Sequence, residues 1–466
     1  MKQVLPFILP VSWRQKNSRI LMWHSEVTTA IESGKFKEAK AIMNAQPKTR
    51  ENLVTIDSFQ IIMNRISYDF SLTPAKGVEM VRERIPGVTD NEINSWIEKK
   101  YIETMTIDGE TKWMRKSVRN LFLLNPDLIV PEAKDGSGTA LLQYRTTALA
   151  MPADANHCHN WNRATITFTL TVDADAVPAG EMLKAWIPVP LTSPRQRNFR
   201  LISSSSNAII SQNSAQHTAM LEQKAVKGRP TVFTIKYSYD VAAQYFDFYE
   251  ILSNLKPYDT TTAEYKTYTS TSTPHVIITD EMRAMARKIV GTETNPAIQA
   301  KMIYNWIGDT FPWAGARDYS TIPNIPQYVL EQRHGDCGQV SLLYITLCRS
   351  LGIPARWESG WMLHPHEHNY HDWCETYFEG VGWVPTDVSF GRSTNPVLRQ
   401  YYQTGTDMYR MAANSDIAQA FDPKKTYIRC ETIDSQAGEV EWRKGNLEMT
   451  QWDSHLEVNS MIPINY

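Results

Sequence analysis

The sequence predicts a multi-domain α+β protein, and three changes of pattern along its 466 residues indicate the parts. At about 150 residues per domain, this length corresponds to roughly three domains. Residues 25–130 carry apolar side chains at helical spacing, residues 131–255 alternate like half-buried strands, and residues 256–400 mix both patterns. We therefore predict a helical accessory domain, an antiparallel β-sandwich and an α+β core, with residues 401–466 as an extension that packs on the core.

The helical region is predicted from the spacing of its apolar residues. Between residues 58 and 68 they recur every three or four positions, which is typical of one buried helix face. These positions are Phe59, Ile62, Met63 and Ile66. Further along, the dipeptide Asp108-Gly109 suits the tight turn of a β-hairpin, so we expect a hairpin to close this region.

The sandwich and the extension are predicted from strand patterns. Residues 164–172 alternate strictly between apolar and polar side chains, and residues 182–190, 219–223 and 231–241 are further strand candidates. Short strands separated by polar turns favour a β-sandwich. In the extension, residues 427–434 and 439–442 have strand-like patterns.

The charge balance and the hydropathy pattern exclude two classes of partner. Forty-eight basic and 50 acidic residues give a formal net charge of −2, so the composition lacks the basic surplus of a nucleic-acid-binding protein. No run reaches 18 apolar residues, and we expect no integral membrane segment.

Residues 1–24 are interpreted as a degenerate signal or leader. A short apolar run interrupted by two prolines is followed by Arg14 and Lys16, without an Ala-x-Ala cleavage site. This interpretation places the protein in the periplasm or outside the cell. If residues 1–24 do not act as a leader, we expect the protein in the cytoplasm.

The five cysteines do not form a recognisable zinc or redox motif. No two of them have Cys-x-x-Cys spacing, which argues against zinc ribbons and thioredoxin-like sites. Five is also an odd number, so at least one thiol has no disulfide partner within the chain. The cysteines are Cys158, Cys337, Cys348, Cys374 and Cys430.

Cys337 has the setting of a nucleophile. It opens a predicted helix whose apolar stripe includes Val340, Tyr344 and Leu347, and which Gly352 is expected to end. Unpaired N–H groups at a helix N-terminus favour an anion, so we expect an accessible thiolate here.

A catalytic thiolate needs a base and a group that orients the base, and His371 and Asp387 are the candidates. They lie on two strands of a predicted hairpin, so the length of the loop decides whether they share a face. A two-residue loop would separate them, so we predict an odd-length loop, or an equivalent bulge, and a His371–Asp387 hydrogen bond. A three-residue loop places Asp387 directly opposite His371 if it spans residues 378–380, or diagonally from it if it spans residues 379–381. Asp372 is the rival orienter, but it adjoins His371 and should point to the opposite face.

These residues resemble the transglutaminase-like cysteine enzymes, which share their catalytic geometry with papain-like proteases. The matching motifs are Gly-Asp-Cys at residues 335–337, Leu-Gly-Ile-Pro-Ala-Arg at 351–356, His-Asp-Trp-Cys-Glu at 371–375 and Gly-Trp-Val-Pro-Thr-Asp at 382–387. The resemblance covers residues 297–392 and identifies residues 256–400 as a transglutaminase-like core. It implies Cys337 as nucleophile, His371 as general base and then acid, and Asp387 as the orienting group.

The resemblance also implies an activity, namely thiol-dependent hydrolysis or acyl transfer at an amide bond of a peptide, glycopeptide or protein substrate. Family members use a tryptophan or a glutamine to stabilise the oxyanion, so Trp313 and Gln332 are the candidates, beside the backbone N–H of Cys337. No cofactor is expected. The rival hypothesis is a catalytically silent binding or scaffold protein that keeps the fold.

A histidine cluster precedes the predicted base. His364, His366, His368 and His371 lie within eight residues, and alternate strand positions could chelate a metal ion. Because Pro365 interrupts the strand pattern, we interpret the cluster as a polar loop and predict no metal site.

Overall fold

The structure is a computed structural model, and it describes residues 18–125, 128, 153–212, 214–272, 274–365 and 367–465. Most of the predicted leader, residues 1–17, and the predicted start of the sandwich, residues 131–152, lie outside the described residues. Within the described ranges, no helix is both long and apolar enough to cross a membrane.

Helices and strands follow the predicted order along the chain. The α-helices of the described residues are α1 (Ser18–Glu32), α2 (Phe36–Asn44), α3 (Arg50–Asp69), α4 (Pro74–Arg84), α5 (Asp90–Glu98), α6 (Ser117–Leu124), α7 (Phe248–Asn254), α8 (Ala263–Tyr268), α9 (Asp280–Val290), α10 (Pro296–Thr310), α11 (Ile325–Gln332), α12 (Cys337–Ser350) and α13 (Pro396–Tyr401). The strands are β1 (Thr104–Ile107), β2 (Glu110–Trp113), β3 (Cys158–Val172), β4 (Met182–Pro188), β5 (Gln196–Ser204), β6 (Ile209–Ile210), β7 (Thr218–Lys224), β8 (Thr231–Tyr245), β9 (Ala355–His364), β10 (Glu367–Phe378), β11 (Gly382–Thr386), β12 (Gly405–Thr406), β13 (Arg410–Asn414), β14 (Glu439–Trp442), β15 (Gly445–Leu447) and β16 (Trp452–Pro463).

One compact unit combines the N-terminal helices with a distant segment, residues 311–339. The predicted apolar face of α3 is buried, and β1 and β2 pair as the expected hairpin. Its turn residues Asp108 and Gly109 have φ angles of 48° and 91°, which Asp-Gly tolerates well.

Buried polar contacts tie this unit's helices to the segment 311–339. Asn120 and the backbone of Gly315 exchange two hydrogen bonds of 2.9 Å each. Glu103 accepts a 2.7 Å hydrogen bond from the Tyr328 hydroxyl. Sequence reasoning assigned the helices and this segment to different domains, because such long-range contacts leave no local pattern.

The second compact unit contains the predicted sandwich. One of its sheets has the strand order β12-β8-β3-β16, with β5 also paired to β8, and the other has the order β15-β14-β4-β7-β6. Alternate side chains of both sheets form one apolar cluster that includes Phe168, Leu221 and Ile235. The alternation is strict in β3 from Ala164 to Val172, which is the segment from which the sandwich was first predicted.

The C-terminal strands differ from the expected extension of the core. Strand β16 pairs with β3 and strand β14 with β4, so both complete the sandwich sheets, and only β13 joins the sheet of the core. The predicted strand at residues 427–434 does not form. The backbone N–H groups of Cys430 and Glu431 donate to the Glu439 carboxylate instead of to a neighbouring strand.

The second unit also contains a four-stranded antiparallel sheet with the order β11-β10-β9-β13. Helix α12 is buried on every side from Val340 to Ser350, not only along the predicted stripe. The hydroxyls of Tyr344 in α12 and Thr376 in β10 lie 2.9 Å apart, which joins the helix to this sheet. As predicted, Gly352 follows the helix with a positive φ of 78°.

Candidate active site

Cys337 is the first residue of α12, and a reciprocal pair of hydrogen bonds fixes this helix end. The Asp336 carboxylate accepts from the Gln339 backbone N–H at 3.1 Å, and the Gln339 side chain accepts from the Asp336 backbone N–H at 3.1 Å. This arrangement is a capping box with aspartate as the N-cap. The Asp-x-x-Gln spacing was visible in the sequence and would have located the helix start independently.

The chain immediately before Cys337 lies beside Trp313. Trp313 and Gly335 form an isolated parallel β-bridge, in which the Gly335 N–H donates to the Pro312 carbonyl at 3.2 Å. The Trp313 side chain is 37% exposed. Trp313, an oxyanion candidate, is therefore held beside Gly335, which precedes the candidate nucleophile Cys337 by two positions.

Gln332, the other oxyanion candidate, lines a cavity of about 240 Å³ in the helical unit. Other lining residues include Glu103, Arg317 and Tyr328. Its Oε1 atom is buried and has no hydrogen-bond partner among the described residues. The oxyanion role of either residue remains a prediction.

His371 and Asp387 meet as the three-residue loop requires. In the β10–β11 hairpin Phe378 pairs with Gly382 and Cys374 with Thr386, so residues 379–381 form the loop. Asp387 then lies diagonally from His371, and the two side chains are joined at 2.8 Å between His371 Nε2 and Asp387 Oδ2. The predicted odd-length loop and the predicted hydrogen bond are both confirmed.

This hydrogen bond determines the tautomer of the imidazole. An ionised carboxylate can only accept, so Nε2 of His371 carries the proton and Nδ1 keeps its lone pair. Burial lowers the pKa of His371, and the nearby Arg410 lowers it further, against the opposing effect of Asp387. The imidazole is therefore neutral near pH 7 and can act as a base.

Asp387 is ionised although it is buried. Burial alone would raise its pKa, but the charges of His371 and Arg410 and their hydrogen bonds outweigh this effect and lower it. Arg410 Nη1 donates to Asp387 Oδ2 at 2.7 Å. Sequence reasoning missed Arg410, since it follows Asp387 by 23 residues in a stretch without a motif.

Asp372, the rival orienter, lies on the other face of β10 as predicted. Its Oδ1 atom accepts a 2.6 Å hydrogen bond from Gln436 Nε2. On the face of His371, the Trp373 ring stacks against the imidazole with centroids 5.9 Å apart. The structure thus pairs His371 with Asp387.

The cysteines differ in their burial and in the pKa of their thiols. Cys348 and Cys374 are fully buried in the second unit, where burial raises the pKa of Cys348 to about 12 and that of Cys374 well above its usual range. Burial likewise raises the pKa of Cys158 to about 12. Cys337 is only half-buried, and none of the five cysteines forms a disulfide.

The histidine cluster does not converge. His364 Nε2 lies 3.1 Å from Asp407 Oδ2, while His371 bonds Asp387, and His366 lies outside the described residues. In the part of the chain that the structure describes, no group of three or more His, Cys, Asp or Glu side chains is placed to hold a metal ion.

Comparisons with known proteins agree with the motifs. The family described as the transglutaminase-like superfamily matches residues 283–388, which include Cys337, His371 and Asp387. The uncharacterised protein YebA of Bacillus subtilis is 27% identical over 136 residues, which are 25% of this chain and 18% of that protein. An uncharacterised protein of Haemophilus influenzae is 27% identical over 142 residues, which are 25% of this chain and 38% of that protein. The chain thus spans well under half the length of these curated relatives.

A solved structure from Cytophaga hutchinsonii, described as that of a proposed cysteine protease, is 16% identical with a TM-score of 0.41. The alignment covers 66% of this chain and 95% of that one. The periplasmic domain of TgpA from Pseudomonas aeruginosa is 13% identical with a TM-score of 0.27, over 52% of this chain and 93% of that one. The family match and the motifs within it lead to one conclusion: residues 283–388 form a transglutaminase-like core.

Proposed function

We propose that the protein is a thiol-dependent amide-bond hydrolase or acyltransferase acting on peptides or glycopeptides. Cys337 is the nucleophile, His371 the general base and then acid, and Asp387 the group that orients His371. The observation that carries the proposal is the 2.8 Å His371–Asp387 hydrogen bond, because it leaves Nδ1 as the basic atom of a buried, neutral imidazole.

The proposed reaction proceeds through a thioester. The Cys337 thiol transfers its proton to Nδ1 of His371, and the sulfur attacks the amide carbon to give a tetrahedral oxyanion. The backbone N–H of Cys337, with Trp313 or Gln332 as second donor, stabilises the oxyanion. The imidazolium then protonates the leaving nitrogen as the C–N bond breaks.

The acyl group leaves the enzyme in a second displacement. Water or an amine attacks the thioester carbon and gives a proton to His371, which returns it to the sulfur as the C–S bond breaks. The acceptor decides between hydrolysis and transfer. Location in the periplasm or outside the cell stays a prediction.

Thiol reactivity tests the proposal. The native protein is treated with iodoacetamide near neutral pH, and modification of each cysteine is followed by mass spectrometry. We expect Cys337 to react at least about tenfold faster than Cys348, and the His371→Ala variant to lose this difference. Equal rates at Cys337 and Cys348 would instead favour a silent scaffold.

The substrate is then identified by difference. The protein and its Cys337→Ala variant are incubated with a peptide and glycopeptide library, with and without an added primary amine. Products that require Cys337 define the substrate, and a mass increase equal to the added amine indicates acyl transfer. A library left unchanged by a protein whose Cys337 is reactive would contradict the substrate class.

A further inference from the structure

A buried arginine contacts the same oxygen of the orienting carboxylate as the imidazole does. Arg410 Nη1 lies 2.7 Å from Asp387 Oδ2, the same oxygen that accepts from His371 Nε2. The Arg410 side chain is 1% exposed and that of Asp387 is 3% exposed. Because Arg410 is sealed from solvent, it cannot contact a substrate, and its effect must pass through Asp387.

The surroundings hold the guanidinium in place. It lies 5.7 Å from the ring centroid of Trp373, 5.4 Å from that of Phe390 and 5.2 Å from that of Tyr402. Rings at these distances attract a cation and restrict its movement. Arg410 is therefore confined to one orientation toward Asp387.

A second carboxylate anchors Arg410. Asp407 Oδ2 lies 3.6 Å from Arg410 Nε and also accepts from the Tyr402 hydroxyl. His364 Nε2 lies 3.1 Å from the same oxygen, and the Tyr409 N–H donates to Asp407 Oδ1 at 2.9 Å. Arg410 thus lies between two histidine–aspartate pairs of one buried network.

The positive charge of Arg410 offsets the cost of burying an ionised Asp387 in the candidate site. A buried carboxylate facing only a neutral imidazole is strongly destabilised and tends to take up a proton. A protonated Asp387 could donate its O–H to Nε2 and so stabilise the opposite tautomer of His371. The fixed positive charge of Arg410 keeps Asp387 ionised while His371 is neutral.

We propose that Arg410, anchored by Asp407, is a positioning residue that keeps Asp387 ionised and aligned, so that His371 stays neutral and basic at Nδ1. This role rests on the proposed function of His371 and Asp387. It predicts that a neutral residue at 410 makes the His371–Asp387 pair bind its proton more tightly.

The test is an NMR titration of His371 in the Cys337→Ala background, which removes the thiol from the measurement. Arg410→Gln should raise the apparent pKa of the His371–Asp387 pair by about one to two units, and Arg410→Lys should restore most of the original value. Arg356→Gln is the matched control. It removes a 2.6 Å ion pair with Glu375 from the same sheet without touching Asp387.

A purely structural role for Arg410 would lower the melting temperature of the Gln variant and leave the titration equal to that of Arg356→Gln, which would overturn the proposal. If Arg410→Gln does not fold, Arg410→Met supplies a second neutral chain of similar length. Failure of the proposed function would be seen in a different experiment, as an unreactive Cys337 in the native protein. The His371 titration would still decide the role of Arg410.

Discussion

Asp387 lies diagonally across the β10–β11 hairpin from His371, and their side chains are 2.8 Å apart. Trp373 rather than His371 occupies the position directly opposite Asp387 in the register set by the Cys374–Thr386 pair. A loop of three residues is what brings two odd-numbered positions to one face, because strand side chains alternate. The orientation of the proposed base thus depends on the length of a surface loop.

The first prediction compares the two aspartates near His371. Asp387→Asn should lower the alkylation rate of Cys337 roughly tenfold or more, since an amide can donate to Nε2 and stabilise the wrong tautomer. Asp372→Asn, on the opposite face of β10, is the matched control and should leave the rate unchanged. Equal losses in both variants would contradict the assignment of Asp387 as orienter.

The second prediction concerns the glycines of the hairpin. Gly380 has a φ of 88°, and a Cβ atom there would lie 2.3 Å from the Asn254 carbonyl oxygen. Gly382 has a φ of 108°, but no described atom lies within 4 Å of its Cβ position. Gly380→Ala should therefore cost about 3 kcal/mol of unfolding free energy and Gly382→Ala about 1 kcal/mol. Denaturant unfolding measures both, and equal costs would exclude the steric explanation.

Local patterns predicted much of this arrangement. The alternation of β10, the helix after Cys337 and the turn at Gly380 are all encoded by neighbouring residues, and pairing His371 with Asp387 required an odd-length loop. The sequence left open whether the two residues lie directly opposite or diagonal to each other, which the register of the hairpin decides. Arg410 reaches Asp387 through tertiary packing, and β16 pairs with a strand almost 300 residues earlier. Neither contact has a periodic signal, and both were missed. The Asp336–Gln339 capping box was local and could have been recognised.

The third prediction concerns acid stability. Burial lowers the pKa of His275 from 6.5 to about 3. Between these pH values the unfolded chain binds a proton at His275 and the folded chain does not. The free energy of unfolding therefore has its full value above pH 6.5 and decreases as the pH falls toward 3. In the native protein this effect lowers the free energy of unfolding by roughly 3 kcal/mol between pH 6.5 and pH 4, and His275→Leu should abolish this decrease. A His275→Leu variant that keeps the native pH profile of unfolding would contradict this explanation.

The fourth prediction tests the contact between α6 and the segment before Cys337. Asn120→Ala removes both hydrogen bonds to Gly315 and leaves the buried backbone N–H and carbonyl of Gly315 without these partners. The unfolding free energy should therefore fall by about 2–4 kcal/mol. Asn64→Ala removes an exposed 2.8 Å hydrogen bond to Gln60 and should cost less than about 0.5 kcal/mol. Similar losses at both sites would mean that the buried contact contributes no special stability.

The fifth prediction separates the shape of the α12 cap from its charge. Asp336→Ala leaves the Gln339 N–H without its acceptor and should cost about 1–2 kcal/mol. Asp336→Asn keeps a side-chain oxygen at the cap and should cost only a few tenths of a kcal/mol, because asparagine caps helices about as well as aspartate. Urea unfolding of the two variants measures the difference. If the Asn variant loses as much stability as the Ala variant, the helix is stabilised by the carboxylate charge at the start of α12. The hydrogen bond to the Gln339 N–H would then contribute little.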